Sequence, residues 1–345
     1  LPHAADHRRD VLPRERRGGG MSSLTVDPKS LAFSSGRTPR PEAVGQLLER
    51  GDLRSYENGT LGMSGPALWL FRYFERKFLE LAFKYGASER QYPTLMPISV
   101  MERTDYFKSF PHHATFALTL DRDSASLRQF VDAVKGGERV EAAATPRVRS
   151  AGAVLSGAVC YHCYAELQDR AITGEPMVLT TQGRCFRYEH GEFAPLRRQW
   201  EFTMREIVLL GPEAPIASVR EKLLLEVVDF ARAHGLSGRI DVASDPFFGA
   251  VEGRARTLLQ RAQSLKYELL VDVTGQKGGD LAIASFNLHG DSFSRTFGLT
   301  LPDGQPASTG CIAFGLERWV AAFVAHHGVD PAAWREFLPA GERMP

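Results

Sequence analysis

Apolar side chains recur at helical spacing along a segment that begins at Ser64 and ends before Gly86. Its leucine, phenylalanine and alanine residues lie three or four positions apart, as on the buried side of an amphipathic helix. Ser64 can cap such a helix, Pro66 fits its first turn, and glycine is a common residue just beyond a helix end. We therefore predict a helix over this segment, followed by an extended stretch at Gln91–Met96.

Shorter patterns divide the rest of the chain. Alternation predicts strands between Pro176 and Leu210, with a loop near His190–Pro195. Further strands are expected at Tyr267–Val273, Leu281–Asn287 and Gly310–Phe314, and further helices at Ala217–His234, Val251–Lys266 and Gly315–Val324. Helices beside a mostly antiparallel sheet favour an α+β fold over an alternating βαβ fold.

The same patterns divide the chain into four parts. Residues 1–20 are rich in Arg, His, Pro and Gly and are expected to be a disordered extension. Residues 21–60 form a turn-rich lead-in, residues 61–330 the main domain and residues 331–345 a tail. Within the main domain, the partly polar stretch at about 103–150 is interpreted as an insertion with one helical piece, Ser126–Val134.

Composition excludes several classes of protein. The 345 residues are 43% apolar and 24% charged, with a formal net charge of +1, which is ordinary for a globular protein. The charge gives no general basic excess for binding nucleic acid. No run of about 18 apolar residues predicts a membrane span, and no apolar leader is evident. A cytoplasmic protein with four reduced or metal-bound cysteines is expected.

Two neighbouring strands carry side chains suited to a nucleotide. In the segment 183–189 the alternation places Arg187, Glu189 and Cys185 on one face and Phe186 and Tyr188 on the other. In the segment 198–206 the residues that share a face are Arg198, Trp200, Phe202, Met204 and Glu206. Arginine can hold a phosphate, a carboxylate can accept from an exocyclic amine, and phenylalanine can stack on a base. A solvated hairpin with paired charges explains the pattern equally well.

The strand pair resembles motif 2 of class II aminoacyl-tRNA synthetases, and the segment Cys311–Arg318 resembles motif 3. The helix that begins at Ser64, with the segment ending at Pro97, looks like motif 1. The resemblance covers residues 60–327 and implies a class II synthetase-like antiparallel sheet flanked by helices. The residues of these motifs are most similar to those of zinc-dependent seryl-tRNA synthetases of methanogens and of their truncated bacterial homologues, the amino acid:[carrier protein] ligases.

The resemblance implies a role for each matching residue. Arg187 would contact the α-phosphate of ATP, Glu189 would bind the adenine amino group, and Phe202 would stack on adenine. Arg318, and with it Arg198, would contact the γ-phosphate. Arg187 and Arg318 are thereby the candidate catalytic residues, acting on ATP together with Mg²⁺.

The resemblance also implies one zinc ion per subunit, held by Cys160, Glu206 and Cys311. Zinc accepts thiolate and carboxylate ligands, and a catalytic site keeps one position open. Cys163, three residues after Cys160, is an alternative ligand, and Cys185 is a reserve candidate. The cysteines can equally be small buried apolar residues.

Four other positions have weaker assignments. Ser285 and Asn287 resemble a pair that flanks the amino-acid pocket. Asp280 is a candidate for placing Mg²⁺. His289 matches no spaced metal motif and is interpreted as a surface or core histidine.

Together the resemblances imply a ligase that activates glycine, alanine or serine with ATP. It would then transfer the aminoacyl group to the phosphopantetheine thiol of a carrier protein. The short lead-in leaves little room for a tRNA-binding arm, which argues against tRNA as the partner. The alternatives are a zinc-dependent seryl-type tRNA ligase and a non-catalytic paralogue that acts as a regulatory subunit. Motif 1 implies a homodimer.

Carrier proteins are typically acidic, so a basic docking surface is expected. The predicted helix Val251–Lys266 carries several basic residues, and Arg254 and Arg261 lie two turns apart on one side of it. We expect these two arginines to meet the carrier. An ordinary solvated helix explains the same pattern.

Overall fold

The computed structural model describes residues 31–173, 176–189, 191–246 and 252–337. The expectations for residues 1–20 and for most of the tail lie outside these ranges. The described strands are β1 (Ala32–Phe33), β2 (Leu53–Ser55), β3 (Leu61–Met63), β4 (Ser88–Arg90), β5 (Leu95–Pro97), β6 (Thr115–Leu120), β7 (Val148–Leu155), β8 (Met177–Phe186), β9 (Glu201–Gly211), β10 (Gly238–Val242), β11 (Lys266–Asp272), β12 (Asp280–Gly290) and β13 (Ser308–Gly315). The described helices are α1 (Ala43–Glu49), α2 (Gly65–Lys84), α3 (Ile98–Met101), α4 (Tyr106–Ser109), α5 (Ser124–Lys135), α6 (Val140–Ala144), α7 (Cys160–Glu166), α8 (Glu213–Ala233), α9 (Glu252–Ala262), α10 (Ser292–Phe297) and α11 (Leu316–His327).

A large sheet forms the centre of the molecule, with the strand order β1-β10-β11-β12-β13-β9-β8-β4. Its neighbouring strands are antiparallel except β4 and β8, which run parallel. Helices pack beside this sheet rather than alternating with its strands. The predicted α+β class is therefore confirmed.

One face of the sheet, here called the core face, is covered by α2, α8 and α11. Ile207 and Leu209 of β9 and Phe314 of β13 point into this layer and are fully buried. The ring of Phe78 on α2 stacks on Phe314 with centroids 4.0 Å apart, and Trp319 of α11 packs against Phe78. This apolar layer fixes the sheet, so the opposite face, here called the cavity face, can carry polar groups.

The predicted helix after Ser64 is confirmed as α2, and Gly86 follows its end with a left-handed φ of 73°. The extended stretch is only partly right, because the segment 91–94 lies between β4 and β5 rather than in a strand. Pro93 explains the break, since proline has no N–H to donate to a neighbouring strand.

The predicted insertion is a lobe in which β5, β7 and β6 form a separate three-stranded sheet. Its expected helical piece is present as α5, which begins at Ser124 with its N–H groups capped by Asp123. The lobe stands over the cavity face, where α4 and the residues just before it reach the cavity.

Two details of the sequence-based strand and helix boundaries were wrong. The pairing of β8 with β9 stops at Phe186 and Glu201, so the alternation does not extend to Trp200. Trp200 instead packs against Tyr188, and its Nε1–H donates to Thr115 in the lobe. Helix α9 ends at Ala262, and Lys266 is the first residue of β11.

No helix in the described part of the chain is both long enough and apolar enough to cross a membrane.

Candidate active site

The register of the large sheet brings distant residues into two neighbouring rows on the cavity face. Residues paired directly across neighbouring strands project to the same face of a sheet. The first row consists of Glu268, Ser285, Ala313 and Glu206. The second row consists of Lys266, Asn287, Cys311 and Val208. Strands β11, β12, β13 and β9 thus each place a side chain in both rows.

A cavity of about 700 Å³ opens over these rows, a volume typical of sites for small molecules. Its other walls come from the lobe, α7, α9, α10 and the first turn of α11. The cavity lining includes the sequence-predicted residues for ATP, metal and substrate, namely Arg187, Glu189, Arg198, Phe202, Arg318, Cys160, Glu206, Cys311, Ser285 and Asn287. Arg254 and Arg261 lie outside this lining and are exposed on α9.

Arginines and a phenylalanine converge at one end of the cavity. The guanidinium carbon of Arg187 lies 5.3 Å from the centroid of the Phe202 ring, and its Nε–H donates to the carbonyl of Gly157 at 2.9 Å. Arg198 forms an ion pair with Glu189 across 3.4 Å. A cation site for phosphate and an apolar surface for a base therefore lie side by side.

Arg318 reaches this end of the cavity from the first turn of α11. Its side chain donates to the carbonyl of Arg197 at 3.0 Å through Nε and to the carbonyl of Ala282 at 3.0 Å through Nη1. These two bonds connect the motif 3 helix to the β8–β9 loop and to β12. They fix the direction of the guanidinium while leaving one of its nitrogens for a ligand.

Cys160, Glu206 and Cys311 form a buried group whose ligand atoms all lie within 4.8 Å of one another. The backbone N–H of Val159 donates to Glu206 Oε1 at 3.1 Å. Glu206 Oε2 has no hydrogen-bond partner among the described residues although it is buried. A buried oxygen without a partner is costly, so this group is suited to hold a metal ion.

The charges of the three residues are tightly linked. Burial raises the pKa of the Glu206 carboxyl to about 8. The hydrogen bond between the two thiols lowers the pKa of Cys311 well below its usual value and raises that of Cys160. His289 and Asn287 add to the lowering at Cys311.

The two alternative cysteines are outside the buried group of three. Cys163 is fully buried on α7 in the same apolar cluster as Cys160 and Cys311, but it is not among the ligand atoms that lie within 4.8 Å of one another. Cys185 is on the cavity face with Val159 and Met204, and it too is outside the group. The geometry therefore favours Cys160 over Cys163 at this position.

Sequence reasoning missed one acidic residue of the cavity, Asp245, and misplaced another, Asp280. Asp245, in the loop after β10, lines the cavity and binds Lys266 at 2.6 Å. Lys266 also contacts Glu268 at 3.1 Å. Asp280, in contrast, pairs with Arg239 at 2.9 Å at the far end of β12 and does not belong to the cavity lining. The suggestion that Asp280 places Mg²⁺ is therefore wrong.

His289, expected from the sequence to be a surface or core histidine, instead lines the cavity with its Nε2 3.8 Å from Cys311 Sγ. Asn287 Nδ2 donates toward the same sulphur at 3.4 Å and toward Ser285 Oγ at 3.1 Å. Continuing the alternation of Ser285 and Asn287 by one more step along the strand could have indicated His289.

Helix α9 forms part of the cavity rim and presents its other side to solvent. Arg256 turns inward and donates to Ser109 Oγ of the lobe at 2.5 Å. On the outer side, Leu258 lies between Arg254 and Arg261 with 68% of its side chain exposed. An exposed leucine flanked by arginines is a surface suited to a partner that is both acidic and apolar.

Comparisons with known proteins place the chain among ligases. The chain is 33% identical over 250 residues to amino acid–[acyl-carrier-protein] ligase 1 of Bradyrhizobium diazoefficiens, covering 72% of this chain and 74% of that protein. Ligase 2 of the same organism is 34% identical over 245 residues, with 71% of each chain covered. No family model matches the sequence.

More distant similarity extends to tRNA ligases. The type-2 serine–tRNA ligase of Methanopyrus kandleri is 28% identical over 294 residues, and the chain spans 55% of its length. The solved structure of M. kandleri seryl-tRNA synthetase with A. aeolicus tRNASec superposes with a TM-score of 0.79 at 26% identity. That match covers 91% of this chain and 64% of the synthetase.

Proposed function

The chain belongs to the family of amino acid–[acyl-carrier-protein] ligases, and from this premise we propose that it activates a small amino acid with ATP and transfers it to a carrier protein. The carrier would receive glycine, alanine or serine on the thiol of its phosphopantetheine arm. One observation carries the proposal. A single cavity unites the Arg187–Phe202 nucleotide end with the buried group Cys160, Glu206 and Cys311.

In the first step the carboxylate of the amino acid attacks the α-phosphorus of ATP. A carboxylate O–P bond forms, the P–O bond to pyrophosphate breaks, and an aminoacyl-adenylate results. Arg187 is positioned to neutralise charge that develops on the α-phosphate, and Arg318 to bind the γ-phosphate, with Mg²⁺ accompanying ATP. Phe202 would stack on adenine while Glu189, held by Arg198, accepts from its amino group.

The buried group fits zinc, because two thiols and a carboxylate are the ligands that zinc accepts. The unpartnered Glu206 Oε2 gains a partner when a cation is present. A zinc ion held by these three residues would supply an open position for the α-amino group of the substrate. Asn287 contacts Cys311, and Ser285 contacts Asn287. Both are suited to bound the small pocket for the side chain.

In the second step the thiol of the carrier attacks the carbonyl carbon of the adenylate. A C–S bond forms, the C–O bond to AMP breaks, and the thiol proton is released. The reaction needs no protein nucleophile, so the residues of the chain serve to orient the two reactants. The adenylate is the product of the first step and the activated reactant of the second.

The first experiment is the exchange of labelled pyrophosphate into ATP across a panel of amino acids. We expect exchange with one small amino acid, loss of exchange after zinc chelation and its return when zinc is added. Cys311→Ser should abolish it, whereas Cys163→Ser, a matched change of a buried cysteine outside the metal group, should retain it. If folded, zinc-loaded protein supports exchange with no amino acid of the panel, a non-catalytic regulatory paralogue is favoured.

The acceptor is tested separately with a purified carrier protein that bears phosphopantetheine. Its intact mass should rise by that of the amino acid less one water. The similarity to M. kandleri seryl-tRNA synthetase keeps a seryl-type tRNA ligase as the second candidate. Loading of tRNA in place of the carrier, in the same reaction, would favour that candidate.

We infer that the outer side of α9 docks the carrier through Arg254, Leu258 and Arg261. The double variant Arg254→Glu and Arg261→Glu should slow carrier loading at least about tenfold, while pyrophosphate exchange stays unchanged. Arg128→Glu, on the exposed side of α5, is the matched charge reversal and should have no effect. Unchanged loading by the double variant would contradict docking at this surface.

We also propose that the protein is a homodimer whose interface includes α2, because this helix resembles motif 1. Phe83 on this helix is half exposed, which is consistent with a surface that a second copy covers. Light scattering after size exclusion should give twice the chain mass, and Phe83→Glu should weaken the dimer. A monomer at micromolar concentration would contradict it.

A further inference from the structure

The inference concerns His289, which lies at an irregularity in β12. The pairing of β12 with β13 shifts between Leu288 and Gly290, so that His289 is the extra residue of a β-bulge beside Thr309. Bulges are common next to active sites, where they redirect a side chain. Here the bulge occurs two residues after Asn287, and the imidazole lines the cavity with Nε2 3.8 Å from Cys311 Sγ.

The orientation of the ring is set by its surroundings. Two hydroxyls face Nδ1, Tyr164 OH at 3.3 Å and Thr309 Oγ1 at 3.2 Å. The ring of Phe293 meets the imidazole edge to face at 5.0 Å and stacks on Tyr164 at 4.5 Å. Hydroxyls can donate to Nδ1, and the proton then resides on Nε2, the nitrogen that faces the sulphur.

His289 also connects the two chain segments that carry the cysteines. Tyr164 lies one helical turn after Cys160 on α7. Thr309 precedes Cys311 by two residues on β13 and lies on the same face of the sheet. The imidazole therefore links α7 to β13 through hydrogen bonds at one nitrogen while its other nitrogen faces Cys311 Sγ.

Resting on the metal site of the proposed function, we propose that His289 is a positioning residue of the group Cys160, Glu206 and Cys311. Its Nε2–H donates to Cys311 Sγ, which stabilises the thiolate and fixes its direction. It is not itself one of the ligands, since its nitrogens are not part of the group whose atoms lie within 4.8 Å of one another. Such outer partners of a ligand commonly contribute 10–100-fold to metal affinity.

Three substitutions separate this role from packing. In His289→Gln the amide nitrogen can replace Nε2–H, whereas His289→Asn reaches only the position of Nδ1 and His289→Phe keeps the ring shape without a donor. We expect zinc affinity, measured by competition with a coloured chelator, to stay within about threefold for Gln and to fall about tenfold for Asn and Phe. The thiolate-to-cobalt absorption band of the Co²⁺-loaded protein should shift in the same two variants.

A buried histidine elsewhere provides the control. His326 on α11 accepts a hydrogen bond from Ser237 N–H through Nε2, on the core side of the sheet. His326→Gln should change the melting temperature of the metal-free protein and leave metal affinity unaltered.

The outcomes distinguish the role of His289 from the metal site itself. The metal site is overturned, and the role of His289 with it, if the wild-type protein binds no zinc. The same holds if the double variant Cys160→Ser and Cys311→Ser binds zinc as tightly as the wild-type protein. If wild-type protein binds one zinc and all three His289 variants bind it equally, only the role of His289 is overturned. That role is likewise overturned if His289→Gln weakens zinc binding as much as His289→Phe.

Discussion

Arg205 and Glu206 are adjacent in β9, but they point to opposite faces of the large sheet and differ in the partners that the fold provides. Arg205 is 3% exposed on the core face, where its guanidinium contacts Glu75 of α2, Glu89 of β4 and Thr180. Glu206 is 1% exposed on the cavity face, where Oε2 has no partner among the described residues. Both side chains are buried, and only Arg205 has oppositely charged partners within the fold.

The difference separates structural charges from functional ones. A buried charge costs several kcal/mol unless it is paired. On the core face, Glu75 and Glu89 balance Arg205 before any ligand binds. On the cavity face, burial instead raises the pKa of the Glu206 carboxyl to about 8, which favours its neutral form while no cation is bound. Its unpartnered Oε2 therefore marks a position where a ligand is expected. Four substitutions test this contrast.

The largest effect on activity is expected when an arginine on the cavity face is replaced. Arg187→Ala should reduce pyrophosphate exchange about a thousandfold, because it removes a donor aimed at charge that forms in the transition state. The melting temperature should change little, since Arg187 makes one hydrogen bond to a backbone carbonyl. Arg128→Ala, on the exposed side of α5, is the control and should leave exchange intact.

Replacing an arginine on the core face should instead lower the stability of the protein and leave its metal binding intact. Arg205→Met leaves Glu75 and Glu89 without their shared partner, and we expect a loss of about 3 kcal/mol in the free energy of unfolding. Zinc stoichiometry should remain one per chain, as measured by metal analysis of folded protein. A variant with wild-type stability and lost zinc would reverse the assignment of the two faces.

Glu206→Gln is the counterpart on the cavity face and should weaken metal binding at least about a hundredfold. In metal-free wild-type protein the folded-state pKa of Glu206, about 8, exceeds its ordinary value of 4.5. Its contribution to stability is therefore fully present below pH 4.5 and lost as pH rises toward 8. Melting curves of the metal-free variant should lack this decline, and an identical pH profile would contradict the burial of a carboxyl here.

The smallest effect is expected at His327, on the core side within α11. Burial lowers its pKa from 6.5 to about 4, so its contribution to stability is present above pH 6.5 and lost as pH falls toward 4. Gln can keep the hydrogen bond to the carbonyl of His234. His327→Gln should therefore reduce the acid-side loss by about 1 kcal/mol, as measured by denaturant titration at pH 7 and pH 5.

Sequence reasoning succeeded where the signal is local. Helix α2, the hairpin of β8 and β9, and the step from β13 into α11 follow from spacing, caps and alternation over a dozen residues. The three buried ligand candidates lie more than 40 residues apart from one another along the chain. Only the pairing of β13 with β9 and the start of α7 unites them, so the resemblance to known motifs was needed to select them.

The errors have different causes. Alternation holds only while a strand stays paired, and the pairing ends before Trp200 is reached. His289 continues the alternation of Ser285 and Asn287 but matches no spaced metal motif, and its approach to Cys311 depends on the pairing of β12 with β13. Asp245 lies in a loop with no periodic pattern, although Lys266 and Gln260 hold its carboxylate. These positions depend on contacts between segments, which no window of sequence contains.

Helix α9 lies in the connection between β10 and β11, two antiparallel neighbours near the edge of the large sheet. An insertion at such a connection can change in length and composition without altering the register of the strands it joins. The outer side of α9, which we propose docks the carrier, can therefore change while the strands that hold the cavity residues keep their register. Under that proposal, the exposed positions Arg254, Leu258 and Arg261 are the ones to exchange when the same activated amino acid is to be delivered to a different carrier.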